Sequence, residues 1–358
     1  MKRVIQIVLV SLMFAVPVTG FLTTDPSYVI KSENRTLAKF PKFGSIIFFS
    51  DLVEWYTDRL FGKIKISEKF FTHFYSVFAD NSFSPSRLSV SGESNWFFLG
   101  DAAKFVYSQH TRDYKIPLSN INRKIAFLKE LKNSSNAKFY LVVGPDKHGV
   151  YSEYLRPYIY EPGKHRAFDK YKHILTDNGI DYIDNLLCLT NAKKSLKLNQ
   201  TLYYTNDSHW NYYGAYLAFN NVMSQILNNY EPLKYSFHFS PSVTGDLTRN
   251  IVSPKHGFLD DVSVQSTEKN RKDFNVLVNK GDSLVKIFEN DLAVDSRTVL
   301  IMSDSFGSAF TPFVFDYFKR VIWLPRLETE GLSFNETIKK ENPDLILYVN
   351  VERNVFFD

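Results

Sequence analysis

The sequence is poor in cysteine, since Cys188 is the single one among 358 residues. One cysteine excludes an intramolecular disulfide framework and a zinc site built from several thiolates. Its neighbours in the stretch 186–189 are apolar, which is typical of a buried and inert thiol. The sequence also lacks a Walker loop and a GxGxxG motif, so nothing in it supports the binding of a nucleotide or dinucleotide.

The chain has no block of five or six like charges, and its formal net charge is +5. A mild basic excess without a basic run gives no support for nucleic-acid binding. Hydrophobic residues make up 44% and charged residues 23% of the chain, as in a globular protein with a large core. The length fits one large domain or two ordinary ones.

One apolar run is long enough to cross a membrane, and it lies at the N-terminus. Met1-Lys2-Arg3 is followed by the mostly apolar stretch 4–22, the pattern of a secretory signal. We therefore expect residues 1–22 to be a signal peptide or a retained signal anchor. Export of a chain with one cysteine fits the bacterial periplasm or the cell envelope.

From about residue 117, the chain alternates helical and strand patterns. The predicted strands are 138–144, 180–183, 298–302, 320–324 and 345–351, and the predicted helices are 119–131, 167–175, 210–227 and 309–318. This alternation predicts an α/β fold whose parallel central sheet is covered by helices on both faces. The less regular segment 230–297 is predicted to be an insertion, with antiparallel strands at 274–278 and 283–287.

The first polar cluster, Ser303–Gly307, directly follows the predicted strand 298–302. Ligands of open α/β sheets bind at the carboxyl ends of the strands. A serine on a sharp strand-to-helix turn exposes its hydroxyl there, and nearby main-chain N–H groups can hold an oxyanion. The alternative interpretation is that Asp304 or Ser305 only caps the next helix.

The second polar cluster, Asn206–Trp210, precedes the predicted helix 210–227. Asp207 stands two positions before His209, where a carboxylate can orient an imidazole and stabilise its protonated form. The alternatives are a helix cap at Asp207 or Ser208 and a metal site, but the eight histidines form no HExxH pattern. Together the two clusters contain the residue types of a serine catalytic triad, whose order along the chain is free.

Several segments spread over the chain share their motifs with a known family. They are Glu33–Pro41, Trp55–Gly62, Trp96–Gly100, Val142–Tyr151, Asp207–Ala215, Gly245–Leu247, Ser303–Phe306, Asn342–Leu347 and Glu352–Arg353. On these segments the chain resembles the alginate O-acetyltransferase (AlgX/AlgJ-like) family, from about residue 30 to residue 354. The resemblance implies an SGNH-hydrolase-like, flavodoxin-like three-layer sandwich, formed as one acetyltransferase domain over residues 23–358.

The resemblance also implies a catalytic triad of Ser305, His209 and Asp207. Ser303 stands where the family's usual motif has glycine, a departure that bears on the geometry around the oxyanion. Lys147, His148, Arg320 and Trp210 are predicted to bind substrate; for the three basic residues, the alternative is a solvated surface position.

The expected activity is transfer of acetyl groups to hydroxyls of a cell-surface polysaccharide through an acetyl-serine. The expected partners are the polysaccharide acceptor and a membrane-bound O-acyltransferase that supplies the acetyl group. We expect no cofactor, no metal and no nucleic acid. Two alternatives stay open: a carbohydrate acetylesterase with the same triad, and a non-catalytic polysaccharide-binding component of an export complex.

Overall fold

The structure is a computed structural model in which part of the chain is described. The described residues are 29–30, 35–36, 39–41, 52, 55, 89–94, 96–101, 103–155, 165–242, 245–247, 258–266, 275–278, 285–325 and 334–357. The predicted export signal at 1–22 lies outside them, as does most of the segment 55–62. Within these ranges no helix combines the length and the apolar character needed to span a membrane.

Strands and helices alternate along the described part of the chain. The strands are β1 (Val29–Ile30), β2 (Arg35–Thr36), β3 (Ser89–Ser91), β4 (Phe97–Leu99), β5 (Lys138–Gly144), β6 (Tyr182–Asp184), β7 (Tyr235–Ser242), β8 (Phe258–Ser266), β9 (Asn275–Val278), β10 (Lys286–Glu289), β11 (Asp295–Ser303), β12 (Phe318–Pro325) and β13 (Leu345–Val351). The helices are α1 (Val106–Thr111), α2 (Leu118–Asn133), α3 (Lys147–Val150), α4 (Ala167–Tyr171), α5 (His173–Asp177), α6 (Leu186–Lys193), α7 (Tyr212–Ile226), α8 (Thr311–Tyr317), α9 (Phe334–Glu341) and α10 (Glu352–Val355).

Seven of these strands form the central sheet, in the spatial order β6-β5-β13-β11-β12-β10-β9. The first five are parallel to their neighbours, and β10 and β9 extend the sheet in antiparallel pairing. The predicted α/β fold with a mostly parallel central sheet is therefore confirmed. The segment predicted as an insertion supplies the two antiparallel edge strands and the separate β7–β8 pair.

Helices cover the central sheet on both faces. The strand β13 shows why, since all seven of its residues are buried. Its odd-numbered residues pack with α7 and α8, whereas Ile346 and Tyr348 pack with α2 and α9 on the other face. Burial of each such side chain contributes roughly 1.5–3 kcal/mol, so a strand covered on both sides is apolar throughout.

The carboxyl edge of the sheet brings distant parts of the sequence together. The strands β5, β13 and β11 are adjacent and parallel, so their last residues end at one edge. Asp146 follows β5, Glu352 and Arg353 follow β13, and Asp304 and Ser305 follow β11. This edge is where an open α/β sheet offers space for a ligand.

Candidate active site

The turn that carries Ser305 is held by the side chain of Asp304. One carboxylate oxygen of Asp304 accepts a hydrogen bond from the Phe306 N–H at 3.0 Å, and the other accepts one from the Val351 N–H at 2.8 Å. The Asn354 amide donates to the second oxygen as well, at 3.1 Å. The turn is thereby fixed to the end of β13, with Ser305 exposed and Phe306 buried.

The loop that carries His209 is closed by the antiparallel bridge between Tyr203 and Trp210. The next helix, α7, is capped by Asn211, whose side chain accepts a hydrogen bond from the Gly214 N–H at 2.9 Å. The alternative prediction of a cap at Asp207 or Ser208 is therefore wrong, and both residues precede the cap.

Ser305, His209 and Asp207 form a continuous chain of hydrogen bonds. The Ser305 Oγ lies 2.8 Å from His209 Nε2, and His209 Nδ1 lies 2.6 Å from Asp207 Oδ1. The side chains of His209 and Asp207 keep 28% and 23% of their exposure, so the pair is partly shielded and still accessible. The fold thus closes a gap of 96 residues between the histidine and the serine.

The carboxylate of Asp207 is stabilised in its ionised form. Burial acts to raise its pKa, but hydrogen bonds from the His209 ring, the Asp246 N–H and the His209 N–H hold this pKa well below its usual range. An ionised carboxylate at Nδ1 keeps the ring proton on that nitrogen. The lone pair of Nε2 is then directed at the Ser305 hydroxyl, as a general base requires.

The predicted substrate contact of Trp210 is corrected by its burial. Only 1% of the residue is exposed, and the indole N–H donates to the Phe306 carbonyl at 2.9 Å. The ring also packs against Phe306 and Phe310. Trp210 therefore connects the histidine loop to the serine turn inside the protein and does not face a ligand.

Lys147 and His148 are corrected for the same reason, because both are at most 2% exposed. The Lys147 ammonium donates to the carbonyls of Tyr204 and Thr205 at 2.8 and 3.2 Å, in the loop that precedes Asp207. The His148 ring donates through Nε2 to the Leu99 carbonyl at 2.9 Å, and burial holds its pKa well below the usual value. The strand end was predicted correctly, but the short helix α3 directs these side chains inward.

Arg320 lies far from the other candidate residues. It pairs with Thr298 near the start of β11, whereas Ser303 at the end of that strand pairs with Pro325. Five residues of a strand span about 16 Å, which places Arg320 toward the opposite edge of the sheet. Its guanidinium donates to Glu341 at 2.7 Å in a partly buried ion pair, so the predicted substrate contact is corrected.

A buried ionic cluster lies behind the site and received no role in the sequence analysis. It joins side chains from the ends of three strands and from two helices: Asp146, Glu352, Arg353, Asp184, His110 and Arg166. The Arg353 guanidinium pairs with Asp146 and lies 5.4 Å from the centre of the Phe306 ring. The sequence motifs contained Asp146, Glu352 and Arg353, but nothing in a motif shows that opposite charges meet inside the protein.

The departure at Ser303 is accommodated by a glycine one turn away. Ser303 is 2% exposed, and a Cβ added to Gly307 would lie 2.3 Å from the Ser303 Cβ. No real Cβ approaches another carbon so closely. The side chain of Ser303 therefore fits because residue 307 is glycine.

Two clusters in the described part of the chain have the ligand types of a metal site. One consists of His110, Asp146 and Glu352, and the other of Asp207, His209 and Asp246. In the first cluster the carboxylates already pair with Arg353 and Arg166, whose charges oppose a cation. In the second, both ring nitrogens of His209 are engaged by Asp207 and Ser305. Both arrangements favour hydrogen bonding over metal binding.

Comparisons with solved structures show the same fold in other proteins. Bacillus cereus PatB1 is 16% identical with a TM-score of 0.55, and the alignment covers 75% of this chain and 97% of that one. PatB1 with a sulfonyl adduct is 18% identical over the same shares, with a TM-score of 0.53. A DHHW family protein from Eubacterium siraeum is 16% identical with a TM-score of 0.50, and the alignment covers 76% of this chain and 96% of that one.

No curated protein matches the chain in sequence. The family model described as SGNH hydrolase-like domain, acetyltransferase AlgX matches residues 90–273, which include Asp207, His209 and Asp246 and end before Ser305. The match spans half of the chain, and the sheet and helices have the architecture that the resemblance implied. The chain belongs to the family of SGNH hydrolase-like acetyltransferases represented by AlgX.

Proposed function

We propose that this protein transfers acetyl groups to hydroxyls of a cell-surface polysaccharide through an acetyl-serine on Ser305. The observation that carries the proposal is the hydrogen-bonded chain from Ser305 through His209 to the ionised Asp207. A serine hydroxyl is a weak nucleophile at neutral pH and needs such a base. Membership of an acetyltransferase family supports acetyl as the group that is transferred.

In the first half-reaction, the Ser305 Oγ attacks the carbonyl carbon of the acetyl donor while His209 Nε2 takes the hydroxyl proton. Collapse of the tetrahedral intermediate breaks the bond to the donor oxygen or sulfur, which leaves with the proton from His209. In the second half-reaction, a sugar hydroxyl attacks the acetyl-serine and gives its proton to Nε2. The ester of the sugar then leaves, and Ser305 recovers the proton.

The oxyanion of both intermediates needs donors that are not already engaged. In the turn after β11, the Phe306 N–H is taken by Asp304 Oδ1 and the Gly307 N–H by the Asp304 carbonyl at 3.1 Å. For the Ser305 N–H, no acceptor lies within hydrogen-bond distance among the described residues. We infer that this N–H is one oxyanion donor, a contribution of roughly 3–4 kcal/mol to the transition state.

We also propose where the protein acts and which kind of protein supplies its acetyl group. An N-terminal export signal at 1–22 would bring the protein to the periplasm or the cell envelope, where the polysaccharide acceptor is found. Acetyl-CoA is not expected outside the cytoplasm. A membrane-bound O-acyltransferase would therefore deliver the acetyl group to Ser305.

The first test measures whether Ser305 reacts with a serine-directed probe and whether its replacement abolishes the reaction. A fluorophosphonate probe should label the wild-type protein at Ser305, as mapped by mass spectrometry, and Ser305→Ala should lose the label completely. Ser308→Ala is the matched control, because this exposed serine lies three residues further in the same turn. Labelling of Ser305→Ala at the wild-type rate would contradict the nucleophile assignment.

The exposure of Ser305 supports one alternative, hydrolysis by a carbohydrate acetylesterase, because water can reach the acetyl-serine. Turnover of p-nitrophenyl acetate with and without acetyl-free oligosaccharides distinguishes the two activities. A transferase yields acetylated oligosaccharide and is stimulated by the acceptor, whereas an esterase yields free acetate in both cases. A protein that neither takes the probe nor turns over the ester would be a non-catalytic binder.

A further inference from the structure

The three-residue segment Gly245–Leu247 lies against the loop that carries the proposed base. The Leu247 N–H donates to the Asn206 carbonyl at 3.2 Å, and the Leu247 side chain is buried. Its apolar neighbours are Phe97, Leu99 and Val106. A Cβ added to Gly245 would lie 2.3 Å from the Asn206 oxygen, so only glycine fits this close approach. The segment is thereby fixed on the residue immediately before Asp207.

Asp246 in the middle of this segment contacts the carboxylate of Asp207 through its main chain. The Asp246 N–H donates to Asp207 Oδ2 at 2.9 Å, while Asp207 Oδ1 accepts from His209 Nδ1 at 2.6 Å. Each oxygen of Asp207 therefore has its own donor. Two donors on opposite sides fix the plane of a carboxylate, and with it the direction of the imidazole.

The Asp246 side chain holds the residue between Asp207 and His209. The Ser208 N–H donates to Asp246 Oδ1 at 2.7 Å, and the Ser208 hydroxyl donates to Oδ2 at 2.5 Å. Oδ2 also lies 3.7 Å from His209 Nδ1. The side chain thus fixes the main chain of the loop and adds a second negative charge beside the imidazole.

We propose that Asp246 is a positioning residue for the acetyl transfer, which keeps Asp207 and His209 aligned with Ser305. This inference rests on the proposed function. The charged groups that face Asp246 are Asp207 and His209 on the adjacent loop and Arg353 from α10. Burial and the neighbouring Asp207 raise the pKa of the Asp246 carboxyl.

The variant Asp246→Asn tests the role, because it preserves the main-chain donor and the side-chain size and removes the charge. With p-nitrophenyl acetate we expect kcat to fall about 10- to 100-fold with little change in KM, since misalignment of a base by a fraction of an ångström has effects of this size. Fluorophosphonate labelling of Ser305 should slow by a similar factor, because it depends on the same alignment of His209 with the serine. The melting temperature should stay close to that of the wild type.

Asp291→Asn is the matched control, an identical change at an exposed turn outside the site. If the wild type neither turns over the ester nor takes the fluorophosphonate, the proposed function itself fails. If the wild type is active and Asp246→Asn retains its kcat, the positioning role is wrong. A lower kcat that comes with a raised KM and a lower melting temperature would also overturn it, since that pattern reports a purely structural residue.

Discussion

At the scale of single residues, the turn that carries Ser305 is held in place by its neighbours. The Asp304 side chain and the hydrogen bond from the Trp210 indole N–H to the Phe306 carbonyl hold the turn around Ser305. The small residues at 303 and 307 pack against each other in the same turn. Residues 303 and 307 constrain each other, because the glycine at 307 leaves the space that the Ser303 side chain occupies. Ser305 is thus held by packing as much as by hydrogen bonds.

This reciprocity predicts that Gly307→Ala destabilises the protein and slows labelling of Ser305. The added methyl would overlap Ser303, and overpacking of this kind costs about 1–3 kcal/mol. The double variant Ser303→Gly/Gly307→Ala should recover most of the loss, because Ser303→Gly removes the atoms that clash. Urea unfolding and the rate of fluorophosphonate labelling measure both effects. Equal losses in the single and double variants would contradict the reciprocal packing.

The sequence predicted three polar residues that the structure brings together, but it was less informative about where other side chains point. Ser305, His209 and Asp207 stand at element boundaries, and boundaries can be recognised from hydrophobic patterns. Lys147, His148 and Trp210 also stand at boundaries, yet all three are buried. Whether a lysine beside a strand end points to solvent or to a buried carbonyl depends on the backbone conformation of the next turn. That conformation cannot be predicted from the hydrophobic pattern of the sequence.

At the scale of elements, the central strands were predictable because burial on both faces makes them continuously apolar. The predicted strand 345–351 agrees with β13 to the residue, and 138–144 agrees with β5. The strand predicted at 283–287 lies at Lys286–Glu289, since its four residues are only partly buried and its apolar pattern is short. The helix predicted at 167–175 is divided into α4 and α5 at Lys172, a break that apolar spacing does not reveal.

The loop before Asp207 is held in part by neighbouring elements. Lys147 from α3 holds the carbonyls of Tyr204 and Thr205, which in turn lie two to three residues from Asp207. Lys147→Met should therefore lower both the stability and the labelling rate of Ser305. The loss of charged hydrogen bonds is worth about 1.5–3 kcal/mol.

Thermal unfolding and fluorophosphonate labelling of Lys147→Met measure these two effects. Lys129→Met is the control, because this lysine is exposed on α2 and carries the same chemical change. A Lys147→Met protein that melts earlier but labels at the wild-type rate would show that the lysine supports the fold without supporting the loop. That outcome would contradict the link between α3 and the base.

At the scale of the whole molecule, the buried ionic cluster connects the strand ends that carry the site to the helices around them. Glu352 follows β13 and accepts hydrogen bonds from the Asp146 N–H and from Arg166. Arg166 also pairs with Asp184, the last residue of β6. Desolvating the charges of such a cluster costs free energy. Removing one member destabilises the folded protein by about 3–5 kcal/mol, because it leaves a buried charge without its partner. Its charges should therefore appear in the pH dependence of folding.

His110 is the member that titrates in an accessible range. Burial opposes its protonation, but Glu352 and Asp146 outweigh burial and raise the pKa of His110 from 6.5 to about 9. Because the folded pKa is raised, the stabilisation is fully present below about pH 6.5 and is lost as the pH rises through about 9. The neighbouring His148 has its pKa lowered by burial and stays neutral over this window.

We therefore expect the difference in unfolding free energy between the wild type and His110→Gln to shrink as the pH rises from 6.5 to 9.5. The change should be on the order of 3 kcal/mol, because each unit of pKa shift corresponds to about 1.4 kcal/mol. Urea unfolding at a series of pH values measures it, and His173→Gln is the control, since that histidine is exposed on α5. If the difference for His110→Gln stays constant across the series, then His110 is not charged in the folded protein. The cluster would then carry one positive charge fewer than the contacts of Glu352 and Asp146 require.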